Sequence, residues 1–148
     1  MKRFVILFST VLFAAASFKA SAIKRVEIEP RMGYSLSVES GAHAAMLVGL
    51  PLSEKFSLRG GLYYSKTDFL DLLVPIYASF QIPLSPDKLA LRLEGGVFSG
   101  SRTGLTATAG FDISNVFVGA SYFHNMVNNN KENGYLGVSL GYRFKLWI

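Results

Sequence analysis

Apolar and polar residues alternate along this chain from residue 25 almost to its end. Alternation with a period of two, broken by turn residues, is typical of β-strands whose two faces meet different surroundings. One face has 44 positions, and none of them carries a charged residue. Pro75 cannot donate a backbone hydrogen bond to a neighbouring strand, so we predict a bulge or local break in the strand that contains it. The pattern predicts eight strands, at Arg25–Val38, Ala42–Leu52, Phe56–Ser65, Phe69–Leu84, Lys88–Phe98, Gly104–Ile113, Val116–Asn125 and Tyr135–Lys145.

The lengths of these strands and the content of their polar face indicate what surrounds them. Most strands reach the length of about 9–11 residues that a tilted strand needs to cross a bilayer core. The polar face carries Gly and Ser between its charges, and small residues suit the narrow interior of an eight-stranded barrel. We therefore predict an all-β fold, an eight-stranded antiparallel up-and-down transmembrane β-barrel. A secreted soluble β-barrel that binds an apolar ligand, with the apolar face inside, is the alternative.

The charged residues of the polar face predict a network inside the barrel. They are Glu27, Glu29, Arg31, Arg59, Asp71, Arg92, Glu94, Asp112 and Arg143. Charges that leave water must be paired or hydrated. We predict that Arg59, Asp71, Arg92, Glu94 and Arg143 form a structural salt-bridge network, and that the narrow barrel has no room for a wide pore.

Aromatic residues of the apolar face cluster at strand ends, at two levels. One level has Tyr34, Tyr64 and Tyr122, and the other has Phe56, Phe80, Phe111, Tyr142 and Phe144. Transmembrane barrels carry aromatic girdles where the apolar band meets each membrane–water interface. The two levels predict two such girdles.

The first 22 residues have the layout of a secretory signal peptide. Lys2 and Arg3 precede a short apolar run that ends at Phe18, and Ala20 and Ala22 form an A-x-A cleavage site. The run is shorter than the roughly 20 apolar residues of a membrane-spanning helix. We predict a cleaved signal over residues 1–22 and a barrel domain over residues 23–148. The mature net charge of +2 lacks the clustered basic face of a nucleic-acid-binding protein.

The connections between the predicted strands indicate an orientation. The segments after the second, fourth and sixth strands are short turns, whereas the last of the alternate connections is a polar stretch at residues 126–134. Bacterial barrels keep short turns on the periplasmic side and longer loops outside. This predicts that both ends of the mature chain lie in the periplasm.

Few residues offer catalytic or metal chemistry. The chain has no cysteine, and His43 and His124 are its two histidines, so we predict no metal and no cofactor. Lipid A deacylases are eight-stranded barrels whose triad serine follows the histidine by two positions. Here Met126 occupies that position after His124, so the histidine has no hydroxyl to activate. We predict a non-enzyme, with a lipid A-modifying outer-membrane enzyme as the alternative.

Two segments, Phe69-Leu-Asp-Leu-Leu-Val-Pro-Ile-Tyr77 and Leu140-Gly-Tyr-Arg-Phe144, resemble strands of the small outer-membrane β-barrel family, of the kind common in Bacteroidetes and similar in size to OmpX. The likeness covers essentially all of the mature chain. It implies a location in the outer membrane of a Gram-negative bacterium, contact with outer-membrane lipid, and insertion by the barrel-assembly machinery, which reads an aromatic at the end of the last strand. We expect a monomer with a structural or surface-interaction role. The sequence identifies no surface ligand.

Overall fold

A computed structural model describes residues 24–36, 41–66, 72–126 and 134–148. Every regular element among them is a β-strand. The strands are β1 (Arg25–Ser35), β2 (Ala42–Pro51), β3 (Phe56–Ser65), β4 (Leu72–Ser85), β5 (Leu89–Gly100), β6 (Gly104–Ile113), β7 (Val116–Asn125), β8 (Gly134–Tyr142) and β9 (Phe144–Trp147). Within this part of the chain, no helix is long and apolar enough to cross a membrane.

The strands form a closed antiparallel barrel. Each strand from β1 to β8 pairs with the next, and β1 also pairs with β8 and β9, which closes the ring. Since β8 and β9 occupy one position in the ring, the barrel is eight-stranded, as the sequence predicts. Closure gives each strand a partner on both sides, which is the condition for placing strands in lipid.

The predicted eighth strand is divided at Arg143. Both halves keep the same register against β1, since Arg31 faces Gly141 and Ile28 faces Phe144. By that register the interruption lies opposite Glu29 and Pro30. Pro30 has no N–H group to donate to the ladder, which accounts for the break.

The apolar face of the strands points outward. Side chains of this face are exposed, among them Met46, Leu62, Val74, Leu93, Leu105, Val118 and Leu140. The alternate positions are buried inside the barrel, and in β2 exposed and buried residues alternate from Ala42 to Gly49. A barrel in lipid is expected to have its apolar face outside and its polar face inside, and the strands have this arrangement.

The proline inside β4 interrupts one ladder but produces no bulge. Pro75 pairs with Phe98 of β5, and the ladder between β3 and β4 skips from Gly60–Ile76 to Tyr63–Leu73 without a change of register. The expected local break therefore occurs on the β3 side. A register shift in β4 occurs instead against β5, between Pro83 and Ser85.

The two ends of the barrel differ in their connections. At one end, named here the turn end, compact turns at residues 52–55, 86–88 and 114–115 join the strands. Asp87 and Ser114 adopt positive φ values of 60° and 58°, which several types of tight turn use. The turn end also holds Lys24 and Ile148, whose backbones are hydrogen-bonded at 3.1 Å. The opposite end is the loop end, where residues 37–40, 67–71 and 127–133 lie outside the described residues.

Two neighbouring glycines of β5 provide a test of the interior packing. A Cβ atom on the inward Gly96 would collide with the backbone carbonyl of Ile76, whereas a Cβ atom on the outward Gly95 would meet nothing within 4 Å. We expect Gly96→Ala to lower the free energy of unfolding by about 1–3 kcal/mol, because the adjacent strand must move. Gly95→Ala is the matched control and should leave it within roughly 0.5 kcal/mol of the wild type. Urea unfolding in detergent micelles measures both, and equal effects would contradict this packing.

Candidate functional site: the barrel interior

The half of the interior nearer the turn end is filled by charged side chains. Four arginines and four carboxylates lie there, each at most 5% exposed: Arg31, Arg59, Arg92, Arg143, Glu27, Glu29, Glu94 and Asp112. We call these eight residues the charged layer. Because the two signs are equal in number, the layer has no net charge.

Glu29 is the centre of the charged layer. Its carboxylate accepts hydrogen bonds from Arg31 at 2.6 Å, from Arg59 at 2.9 Å and from Arg92 at 2.8 Å. The side chain of Glu29 is fully buried. Three guanidinium groups from β1, β3 and β5 therefore share one carboxylate, and the strands that carry them are tied together across the barrel.

Two other carboxylates complete the pairing of these arginines. Glu94 accepts two hydrogen bonds from one nitrogen of Arg31, at 2.8 and 3.0 Å. Asp112 accepts from Arg92 at 2.8 Å and lies 2.6 Å from a nitrogen of Arg143. Every guanidinium of the layer thus has a carboxylate partner, which offsets part of the cost of removing these charges from water.

An aromatic ring packs against the charged layer. The guanidinium carbons of Arg31 and Arg92 lie 4.2 and 4.6 Å from the centroid of the Phe117 ring, and Phe117 is fully buried. Cations at this distance are attracted by the π electrons of the ring. Phe117 therefore occupies interior space beside the charged layer and stabilises two of its arginines.

The sequence predicted the charged layer only in part. The structure brings together Arg59, Arg92, Glu94 and Arg143, and Asp71 lies outside the described residues. Sequence reasoning placed the remaining members, Glu27, Glu29, Arg31 and Asp112, on the polar face but did not assign them to the network. All four lie at inward-facing positions of their strands, and this feature of the sequence could have assigned them to the network.

The other half of the interior, nearer the loop end, is filled by rings. The buried cluster consists of Ala45, Tyr63, Leu73, Phe98, Phe123 and Tyr135. The ring of Phe123 contacts three others, with centroids 4.9 Å from Tyr63, 5.4 Å from Phe98 and 6.1 Å from Tyr135. Sequence reasoning missed this aromatic layer, since it expected small and ionic residues inside the barrel.

His43 packs against the aromatic layer, with its ring centroid 5.0 Å from that of Tyr63, and both of its ring nitrogens have a hydrogen-bond partner. Its Nδ1 lies 2.9 Å from the hydroxyl of Tyr135, and its Nε2 lies 2.9 Å from the hydroxyl of Ser139. The ring lies against Gly33 and Gly137, where a side chain would collide with it. His43 thus joins β2 to β8 across β1. No cluster of three metal-ligating residues occurs among the described residues.

The filled cross-section leads to a prediction about transport. Among the described residues, the charged layer and the aromatic layer occupy the two halves of the interior, and the interior of an eight-stranded barrel is just wide enough to be filled by side chains. We therefore expect no measurable single-channel conductance in planar bilayers. The control is a known porin reconstituted in the same bilayers, which must show steps. Stable, reproducible steps from the purified barrel would contradict the packing described here.

All eight residues of the predicted girdles point outward. Tyr34, Tyr64, Tyr122, Phe56, Phe80, Phe111, Tyr142 and Phe144 are between 36% and 51% exposed. Phe56 and Phe80 are direct partners in the β3–β4 ladder, and the rings of Tyr142 and Phe144 are 4.9 Å apart. Their side chains thus have the outward direction that membrane girdles require.

His124 lies on the outer surface at the loop end of β7. Its ring stacks on that of Tyr122, with centroids 6.1 Å apart and Nδ1 3.4 Å from the tyrosine hydroxyl. The residue two positions later, Met126, is exposed and carries no hydroxyl. We therefore expect His124→Ala to leave the acyl number of lipid A unchanged by mass spectrometry, with the unmodified gene as control. A change in acyl number would contradict the prediction that His124 is not a catalytic residue.

Comparison with known proteins places the fold in a class, that of eight-stranded β-barrels. A scan of protein-family models and a search of curated proteins give no match. Among solved structures, the chain is similar to the N-terminal β-barrel domain of OprF from Pseudomonas aeruginosa, with a TM-score of 0.61, 14% identity, and coverage of 82% of this chain and 98% of that one. It is also similar to a designed transmembrane β-barrel, with a TM-score of 0.55, 14% identity, and coverage of 82% and 96%. At this identity the likeness shows the fold.

Proposed function

We propose that this protein is an integral outer-membrane β-barrel of a Gram-negative bacterium with a structural or surface-interaction role. The observation that carries the proposal is the outward apolar face. Along β2, β3 and β6, no outward side chain is charged, while the charged layer lies inside. A surface of this kind is stable in lipid and aggregates in water.

The same observations weigh against the alternatives. A soluble barrel that binds an apolar ligand needs apolar residues inside, yet the half of the interior near the turn end is ionic. A lipid-modifying enzyme needs an activated nucleophile near the membrane, and Met126 stands two positions after His124, where that nucleophile would be. A filled barrel without such a site fits a structural or surface-interaction role.

Several further features belong to the proposal. Residues 1–22 would direct export and be cleaved after Ala22, where Ala20 and Ala22 lie outside the described residues. The barrel-assembly machinery would insert residues 23–148 as a monomer, with the turn end and both chain ends in the periplasm. The two aromatic girdles would then lie at the two interfaces of the outer membrane.

The absence of cysteine in the chain allows a direct test of location and orientation. Ser101 at the loop end and Glu54 at the turn end are both exposed, so each can be replaced by Cys. In intact cells, a membrane-impermeant maleimide should label Ser101→Cys and leave Glu54→Cys unlabelled. Permeabilising the outer membrane should make Glu54→Cys reactive.

Each variant serves as the control for the other, because both carry a single exposed thiol on the same barrel. Labelling of Glu54→Cys but not Ser101→Cys in intact cells would reverse the proposed orientation. Labelling of both only after permeabilisation, with the protein in the soluble fraction, would contradict the outer-membrane location.

A further inference from the structure

The charged side chains of residues 24–148 are distributed unevenly along the barrel axis. The charged layer is balanced, with four residues of each sign. The connections at the loop end contain three basic and four acidic residues, namely Lys66, Arg102 and Lys131, and Glu39, Asp68, Asp71 and Glu132. Five of these seven residues lie outside the described residues and are assigned to this end by chain order alone. The turn end carries Lys24, Arg25, Lys55, Lys88 and Lys145 against Glu54 and Asp87. We call these five basic residues the basic rim.

The lysines of the basic rim are free to meet an external anion. Lys24, Lys55, Lys88 and Lys145 are exposed, and none of them forms an ion pair with a described residue. Among the described residues, Arg25 forms an ion pair with Glu27 alone, at 3.1 Å. Residues 1–23 contain no acidic residue that could neutralise the rim. The excess positive side-chain charge at this end therefore has no partner among the described residues.

Exposed apolar side chains lie at the same end of the barrel as these cations. Trp147 is 74% exposed, and the guanidinium carbon of Arg25 lies 5.9 Å from the centroid of its ring. On β9, Phe144 and Leu146 point outward and are each half exposed. Lys55 directly precedes Phe56 of the girdle. Cations beside exposed aromatic rings are typical of the depth at which lipid headgroups lie, since the ring suits the acyl region and the ammonium suits the phosphate.

We propose that the basic rim binds the phosphate groups of anionic phospholipids in the leaflet around the turn end. This inference rests on the proposed function, because it requires the barrel to be in a membrane. Charge alone would also suit a soluble anionic polymer. The outward-facing rings of Phe56 and Phe144 at this end of the barrel favour lipid, because a soluble polymer has no acyl chains for them to contact.

The experiment uses the mature barrel in phosphatidylcholine vesicles that contain trace spin-labelled phosphatidylglycerol or phosphatidylcholine. Electron paramagnetic resonance gives the immobilised fraction of each lipid, and hence the preference of the barrel for the anionic one. We expect the barrel to prefer phosphatidylglycerol over phosphatidylcholine by about fivefold. One basic residue near a membrane surface contributes about 1 kcal/mol, which corresponds to roughly this factor. High salt should remove it, because the Debye length falls to about 3 Å at 1 M.

Two double variants with equal charge change locate the effect. K55Q/K88Q removes two of the five residues of the basic rim and should reduce the averaged preference to about threefold, because three residues that each contribute about 1 kcal/mol remain. K66Q/K131Q removes two lysines from the loop end and should leave it unchanged. K55R/K88R keeps the charge and should keep the preference.

The outcomes separate this inference from the proposed function. If all variants insert with a heat-dependent gel shift but K55Q/K88Q keeps the full preference, the basic rim does not bind lipid. Binding of a soluble anionic polymer without any lipid preference would also overturn the inference. If the wild type does not insert into vesicles at all, the proposed function fails and this inference fails with it.

Discussion

Replacement of Glu29 by Gln is expected to lower the free energy of unfolding of the barrel by about 3–5 kcal/mol. Glu29 accepts hydrogen bonds from Arg31, Arg59 and Arg92 at 2.6–2.9 Å, and all four side chains are buried. The amide keeps the shape of the carboxylate but not its charge, so the layer gains one uncompensated positive charge. Such a charge cannot reach water without opening the barrel, which is why the cost is large. Urea unfolding in detergent micelles, followed by gel mobility of unheated samples, measures the loss.

The control for Glu29→Gln is Glu54→Gln in an exposed turn, which makes the same chemical change at a position that forms no ion pair with a described residue. Its effect should stay within about 0.5 kcal/mol. The double variant E29Q/R92Q restores the balance of charge and should recover part of the loss, although Asp112 then loses a partner. Equal stabilities for Glu29→Gln and Glu54→Gln would show that the charged layer does not hold the barrel together.

Placing an arginine in the middle of the outer face is expected to cost about 2–4 kcal/mol when the barrel is in a bilayer. Ala120 is suited to this test, because it faces outward at the centre of β7, between Ala109 of β6 and Val138 of β8. An arginine there must either lie in hydrocarbon or bend toward an interface. The free energy of unfolding from phosphatidylcholine vesicles measures the cost.

Ile113→Arg is the matched control for Ala120→Arg. Ile113 also faces outward, but it ends β6 beside the turn at residues 114–115, where an arginine can reach the interface. The expected cost there is about 0–1 kcal/mol. If both arginines were tolerated equally, the outer face would not be in contact with a bilayer core.

The alternation of polarity made most of the fold predictable. The predicted bounds of β3, β6 and β7 match the structure, because their turns and their alternation both have sharp limits. The division of the last strand was not predicted. It depends on Pro30 lying opposite the other end of the chain, and that pairing exists only after the barrel closes.

The interior was harder to predict, because its contacts depend on register. Tyr63 and Tyr64 are adjacent, and only the alternation of polar and apolar residues around them indicates that Tyr63 points into the barrel and Tyr64 points outward. The position of His43 depends on the absence of side chains at Gly33 and Gly137, on two other strands. Sequence alone gives the faces of strands, but not which residues of distant strands meet at one level.

The measurement that tests the central claim most directly is the gel mobility, with and without boiling, of the protein in the outer-membrane and soluble periplasmic fractions of cells that express the full-length chain. A closed barrel with an apolar outer face should resist detergent, so the unheated band should migrate differently from the boiled one and should be found in the outer-membrane fraction. Recovery in the soluble periplasm without any shift would contradict the account, because the apolar face would then have to point inward.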